Sequence, residues 1–251
     1  MVRWKARPAP DVPLDIASVM LVSTVGVTLQ GAVGFGMGIL GTPILILLDT
    51  RLVPGPVLAS TMLFTLALGL RERRAIDISG LRWAMIGRVV GTAPAAWVLA
   101  ALPVAQLGLV FGLVVLFGVL LSVSGLRVDP RPPALLLGGV LSGVMGTIAA
   151  VGGPPLALLY QHAPGAQVRG TLSGLFFFGT IVSLAALLMV GRFGWAELQF
   201  TLAMLPGALF GFVVSRRLAT RLDRGYTRAG VLGVATIAGT VVVARYFFGG
   251  V

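Results

Sequence analysis

Residues 26–48, GVTLQGAVGFGMGILGTPILILL, are apolar enough to lie in lipid, yet they carry Gly31, Gly34, Gly36, Gly38, Gly41 and Pro43. A plain spanning helix needs none of these, and each interior glycine costs about 1 kcal/mol relative to alanine. The apolar run that contains the stretch, 14–48, has about 35 residues. As one helix it would be about 52 Å long, against a hydrocarbon core of about 30 Å. The glycine cluster is where it must break, which predicts a helix near 14–33 and a shorter piece near 37–48. Irregular backbone at membrane depth is tolerated only where it is buried in protein or lines a cavity. The stretch is therefore expected to face a ligand or a packed interior.

The remainder of the chain repeats this apolar character. Further runs lie near 54–71, 81–101, 104–126, 133–150, 152–161, 170–190, 195–215 and 229–247, punctuated by prolines and arginine groups. Hydrophobic residues make up 57% of the 251 and charged residues only 11%, with a mean hydropathy of +1.00. A soluble domain has about 25% charged residues, so the fold class is an all-α polytopic membrane protein with about 8–10 segments, some broken or partial. The run after the charged start at 1–13 is too long for the apolar region of a signal peptide and is expected to be retained.

The net charge of +11 comes from arginines set between apolar runs, so it reads as a positive-inside signal rather than a nucleic-acid interface. With no cysteine and one histidine, His162, thiolate and multi-histidine metal sites are excluded, and no metal or cofactor is expected. Acids are scarce, and Asp49, Asp77 and Glu197 sit near segment ends, so no carboxylate relay at membrane depth is expected.

The chain also repeats internally. Set 26–48 against 138–160 without a gap and Gly31 meets Gly143, Gly34 meets Gly146, Gly41 meets Gly153 and Pro43 meets Pro155. Beyond that window Thr61 meets Ser173 and Trp83 meets Trp195. The division this implies is a tail at 1–13, a first repeat at 14–126, a linker at 127–132 and a second repeat at 133–251. Loop charges orient the halves. Arg71, Arg73, Arg74 and Arg82 follow the first half's third run, and its next turn at 102–106 is uncharged. The second half reverses the order: 191–197 carries only Arg192 and Glu197, while 215–228 carries five arginines. Opposite preferences for equivalent loops predict an inverted-topology repeat with an odd number of crossings per half. Arg3, Lys5 and Arg7 conflict with five full crossings, which would leave the N-terminus outside. Either the tail violates the rule or 14–48 crosses only once, with 37–48 re-entrant or partial.

The candidate site lies where the two broken stretches meet. Short helices starting near Gly36–Gly41 and Gly152–Pro154 would present free N–H groups to an anion; the plainer alternative for single glycines, such as Gly34 with Gly38 or Gly87 with Gly91, is close helix packing. Gln30, Thr42, Ser60 and Thr61 in the first half are matched by Ser142, Thr147, Gln161, Thr171 and Ser173 in the second. Their hydroxyls and amides are hydrogen-bond donors to an oxyanion, or else bond along their own helices. Arg88 lies inside an apolar segment; an anion is a natural partner for it, and snorkelling to the interface is the alternative. Arg169 is a weaker candidate. His162 beside Gln161 reads as interfacial. Ser142–Gly143 and Ser173–Gly174 as serine nucleophiles would need His162 as base in an adjacent helix, and no enzyme motif is present.

The pattern QGAVGFGMGILGTP at 30–43 and the related SGVMGTIAAVGGPP at 142–155 resemble the two signature regions of the TauE/SafE family, bacterial inner-membrane permeases associated with export of sulfite and organosulfonates. The resemblance covers nearly the whole chain. One departure is Thr147 and Ile148, where the first half has Phe35 and Gly36. The residues by themselves predict a multi-pass permease for a small anion, working by alternating access between two inverted repeats; the resemblance implies that the cargo is sulfite or a small organosulfonate, moving outward. The substrate would contact Gln30, Gly31, Gly34, Phe35, Gly36, Gly38, Thr42, Pro43, Ser60, Thr61 and Arg88 from the first half. From the second it would contact Gly143, Gly146, Thr147, Gly152, Gly153, Pro154, Pro155 and Ser173. An anion channel, or an importer of another small sulfur or carboxylate anion, is the alternative. The expected partners are the anion and the lipid bilayer, without nucleic acid.

Overall fold

The first helix, α1 (Ile16–Val33), stops at Gly34, which adopts the left-handed conformation (φ +98°) open to glycine. The backbone then folds onto α1: a Cβ at Gly36 would overlap the backbone at Leu29–Gln30. A single π-helical turn, Met37–Gly41, leads into α2 (Thr42–Leu48). The break therefore falls at the glycine cluster. The computed structural model describes residues 15–34, 36–222 and 226–248. Phe35 and the charged tail lie outside them.

The remaining helices are α3 (Gly55–Arg71), α4 (Ile78–Ala101), α5 (Val104–Val123), α6 (Pro132–Ala149), α7 (Pro154–Leu159), α8 (Gly165–Met189), α9 (Trp195–Leu222) and α10 (Tyr226–Phe248). Among the described residues seven helices are long and apolar enough to cross a membrane, α3–α6 and α8–α10. Their outer surfaces are as apolar as their inner ones, with Trp97, Leu120, Phe210, Ile237 and Phe248 exposed, as suits a lipid solvent. This is a multi-pass membrane protein.

Hydrogen bonds sort the helix ends onto two faces. Tyr160 donates to Asp77 (2.8 Å), Arg169 pairs with Glu72 (3.4 Å) and Gln161 Nε2 donates to Leu126 O (2.7 Å). These contacts gather the arginine-rich loop after α3, the α5–α6 linker and the end of α7 on one face. On the other, Arg192 donates to Leu102 O (2.7 Å) and Arg245 to Leu47 O (3.1 Å). Helix α1 runs alongside α9 in the same direction, with Met20 beside Gly207 and Gly31 beside Ser215, so it starts on this second face and α2 returns there, while α7 returns to the face from which α6 entered. The stretch 14–48 does not make a single crossing, because α2 is short but ends where α1 began. From Met37 to Leu48 is twelve residues, about 18 Å of helix; the bend at Gly34 lies against the first turns of α8, near Val168 and Arg169, and the chain drops back along α1 to the level of Gly26 before the π turn begins.

The two hairpins enter from opposite faces and touch at their tips, where Gly38 abuts the carbonyl of Ala150. Around them α1 packs on α9 as α6 packs on α4, α3 faces α8, and α5 faces α10. Both of the first pairs rest on glycine. In α4–α6, Gly87 and Gly91 meet backbone at Leu136 and Val140, while Gly139 and Gly143 meet Ala84 and Arg88. In α1–α9, Gly207 and Gly211 meet Met20 and Thr24, and Thr24 and Thr28 donate to Gly207 O (3.1 Å) and Gly211 O (3.2 Å). Without a hydrophobic drive between helices in lipid, close approach supplies the dispersion that holds them together.

The hairpins differ in one turn. Thr147 and Ile148 carry no glycine where the first half has Gly36, so α6 runs on to Ala149 and breaks at Ala150 (φ +57°). The first hairpin breaks four residues sooner, and the π turn fills the difference.

At the arginine-rich face the Tyr160–Asp77 bond ties α7 to α4, whose first turn Asp77 also caps through Gly80 N–H (2.9 Å). Tyr160→Phe removes a bond to a charged acceptor, worth about 1.5–3 kcal/mol. The expected result is a fall in the apparent Tm of the solubilised protein; an unchanged Tm would mean the bond contributes nothing to stability.

Candidate functional site

Arg88 lies ten residues into α4, about 15 Å from its start and near mid-membrane. It does not snorkel. The residue is 2% exposed, and its guanidinium turns inward, where Nη1 donates to Ser142 O (3.0 Å) and Ser142 Oγ (2.7 Å). Nε has no hydrogen-bond partner among the described residues, and none of the ion pairs found there involves Arg88. Snorkelling fails because α6 covers α4 on this side and three glycines make a slot for the head group. A Cβ at Gly146 would stand 2.8 Å from Nη2, one at Gly152 2.6 Å from Nη1, and one at Gly179 would overlap Nε.

This guanidinium borders a cavity of about 40 Å³ between the hairpin tips. By the same measure a water needs roughly 10–15 Å³, so the space fits a compact group of a few heavy atoms. Gln30, Gly38 and Thr61 line it from the first half, and Gly146, Gly152, Gly153 and Pro154 from the second. The structure thus brings together both broken stretches and Arg88. It adds Thr65, Phe176 and Thr180, which reading the sequence did not single out. Their signal was present in α8: Phe176, Gly179, Thr180 and Ser183 form a helical stripe with small and polar members in an otherwise apolar segment.

Other expected contacts are placed elsewhere. Gly31 packs against Ser215 and Phe64, Gly34 against Val168 and Leu172, and Gly36 against its own helix. Gly143 accommodates the Arg88 backbone. Pro43 and Pro155 are buried at helix starts and do not border the cavity. Thr147 joins Thr92 (3.2 Å) and Ser183 (2.9 Å) in a buried hydroxyl cluster. Ser173 is buried where α8 passes Gly69 of α3, 3.8 Å from where a Cβ there would sit. Ser60 donates to Val57 O (3.1 Å). Thr42 is fully buried outside the cavity wall, and its Oγ1 has no partner among the described residues. Arg169 is held by Glu72.

The hydrogen bonds narrow the set of donors that face the cavity. At the starts of the short helices some N–H groups are absent or already taken, while no hydrogen bond is found among the described residues for the N–H groups of Gly38, Ile39, Gly152 and Gly153, which border the cavity. Pro154 and Pro155 have no N–H, and Leu156 and Ala157 both donate to Gly153 O (3.2 and 2.9 Å). In the first hairpin the π turn takes the Thr42 N–H with Met37 O, and Leu40 N donates to Gly36 O (3.0 Å). The threonines of α3 do not donate into the cavity: Thr61 bonds Val57 O (2.8 Å) and Thr65 bonds Met62 O (2.8 Å), so their single protons are spent on their own helix. Among the described residues of the cavity wall the full positive charge is that of Arg88, and Gln30 and Thr180 are polar neighbours on the same wall.

The site is one-sided. On the equivalent α1–α9 pair the neighbours of Gly31 are Ser215 and Phe64, and Phe64 packs edge-on against Phe212 with centroids 5.4 Å apart. No acidic or histidine cluster suited to a metal occurs among the described residues.

No curated protein and no solved structure matches the chain. A family model described as sulfite exporter TauE/SafE, a family of membrane transporters of sulfur anions, matches residues 19–242. That match spans most of the chain, which therefore belongs to the TauE/SafE family.

Proposed function

We propose that this protein is a permease of a bacterial inner membrane that exports a small sulfur oxyanion, sulfite before bulkier sulfonates. The observation that carries the reading is a buried guanidinium without a carboxylate partner among the described residues, beside a cavity between the two hairpin tips. Leaving a charge in this setting without a counter-charge costs several kcal/mol. A bound anion supplies the missing partner, and a guanidinium fork matches an oxyanion's spacing. A cavity of about 40 Å³ suits a sulfur and its oxygens better than a long organic substituent.

Transport follows from two hairpins that enter from opposite faces. The halves 14–126 and 133–251 act as inverted repeats, and rocking one against the other opens the Arg88 cavity to each side in turn. No driving ion is required, since an inside-negative potential favours anion exit by about 2.3 kcal/mol per charge per 100 mV.

The test is flux from proteoliposomes loaded with labelled sulfite, sulfate, a two-carbon sulfonate or a neutral solute of equal size. The expected order is sulfite above sulfonate, with the neutral solute retained and saturation at high sulfite. Passage of the neutral solute without the anions sinks the reading. Single-channel currents in place of saturable exchange would favour the channel alternative.

A further inference from the structure

We propose, on the anion reading of the Arg88 cavity, that Ser142 is a positioning residue, which orients the substrate-binding guanidinium without touching the substrate itself. Arginine carries about 2 kcal/mol of rotamer entropy, and here no carboxylate among the described residues holds it. What holds it is neutral. Nη1 donates to both the carbonyl (3.0 Å) and the hydroxyl (2.7 Å) of Ser142. The hydroxyl has one proton, and it goes to Gly152 O at 2.6 Å. The chain of donors therefore has one direction, from Arg88 to Ser142 to Gly152, and Ser142 Oγ offers a lone pair to Nη1.

This arrangement fixes the charge without neutralising it. Ser142 engages one edge of the guanidinium, the missing side chains of Gly146, Gly152 and Gly179 receive the rest, and Nε is left without a partner among the described residues. A carboxylate in place of Ser142 would cancel the charge the anion needs. An apolar residue would leave Nη1 only the backbone carbonyl and free the side chain to turn. The hydroxyl also ties the guanidinium to the first residues of the second hairpin's break, so the charge stays in register with the cavity wall formed by Gly152 and Gly153.

The experiment is sulfite flux from proteoliposomes for Ser142→Ala in two backgrounds, unaltered and Arg88→Lys, with Arg88→Gln measured alongside. Losing a hydrogen bond to a charged group is expected to raise the KM of Ser142→Ala about tenfold while the maximal rate stays within about threefold. In the Arg88→Lys background the same change is expected to alter KM less than about twofold, since a lysine ammonium has no fork to orient. An unchanged KM, or an equal factor in both backgrounds, overturns the proposal while leaving the anion site standing. Full flux in Arg88→Gln removes the site itself, and the proposal falls with it. Should the alanine protein not fold, Ser142→Cys keeps the volume with a weaker donor and acceptor, and a smaller KM rise that again vanishes beside Arg88→Lys is the supporting result.

Discussion

Replacing Arg88 by glutamine lowers sulfite flux from proteoliposomes by at least about 100-fold, which corresponds to about 2.7 kcal/mol of lost stabilisation. The size follows from where the charge sits. Arg88 is at mid-membrane, shielded from water and unpaired with any described carboxylate, so its field at the cavity is little screened. Glutamine fills part of the volume and keeps a donor, but it removes the only full positive charge among the described residues of the cavity wall. The variant is not expected to be less stable in the absence of anion. An unpaired buried charge is costly to the fold, and removing it offsets the two lost bonds to Ser142. Flux and thermal stability should therefore separate: flux collapses while Tm holds. Flux within about threefold of the unaltered protein would show that the anion binds elsewhere.

Gly91→Val is the second large effect, and it acts on stability. A Cβ at Gly91 would overlap the carbonyl of Val140 in α6, which is backbone and cannot rotate away. Helices α4 and α6 must separate, and the neighbouring contacts at Gly87, Gly139 and Gly143 open with them. Overpacking of this kind costs on the order of 3 kcal/mol, and a chain of this length loses about 2–4 °C of Tm per kcal/mol. The expected fall in apparent Tm is therefore about 6–12 °C. Because α4 carries Arg88 and α6 carries Ser142, flux should fall as well, unlike in the Arg88 variant, where Tm holds. An unchanged Tm would mean that the pair is not packed through these glycines.

Much of the fold was legible in the chain because its determinants are local. Hydropathy runs fixed the segments, and the breaks fell at Gly34–Gly36 and between Ala150 and Gly153, beside glycines and paired prolines that make a continuous helix costly. The departure at Thr147–Ile148 marked a real asymmetry, one extra turn of α6. Charge counting gave the preference of the arginine loops for one side. The parity of 14–48 was not legible, because a twelve-residue apolar piece is compatible with a crossing or a return. Contacts as remote as Arg245 with Leu47 settle it.

The candidate site divides in the same way. Local sequence marked the two glycine-rich stretches, and the structure puts Gly38, Gly146, Gly152 and Gly153 on one cavity. It did not tell lining glycines from packing ones, such as Gly31 or Gly143, because that depends on which helix lies opposite. By itself the sequence determined an all-helical membrane protein with two broken stretches and one arginine inside an apolar segment. Only the tertiary structure decided that Arg88 turns inward, that Gly179 in α8 makes room for it and that Ser142 in α6 holds it. The physical reason is that an arginine's environment in lipid is set by the helices packed around it, and its closest partners lie 54 or more residues away along the chain.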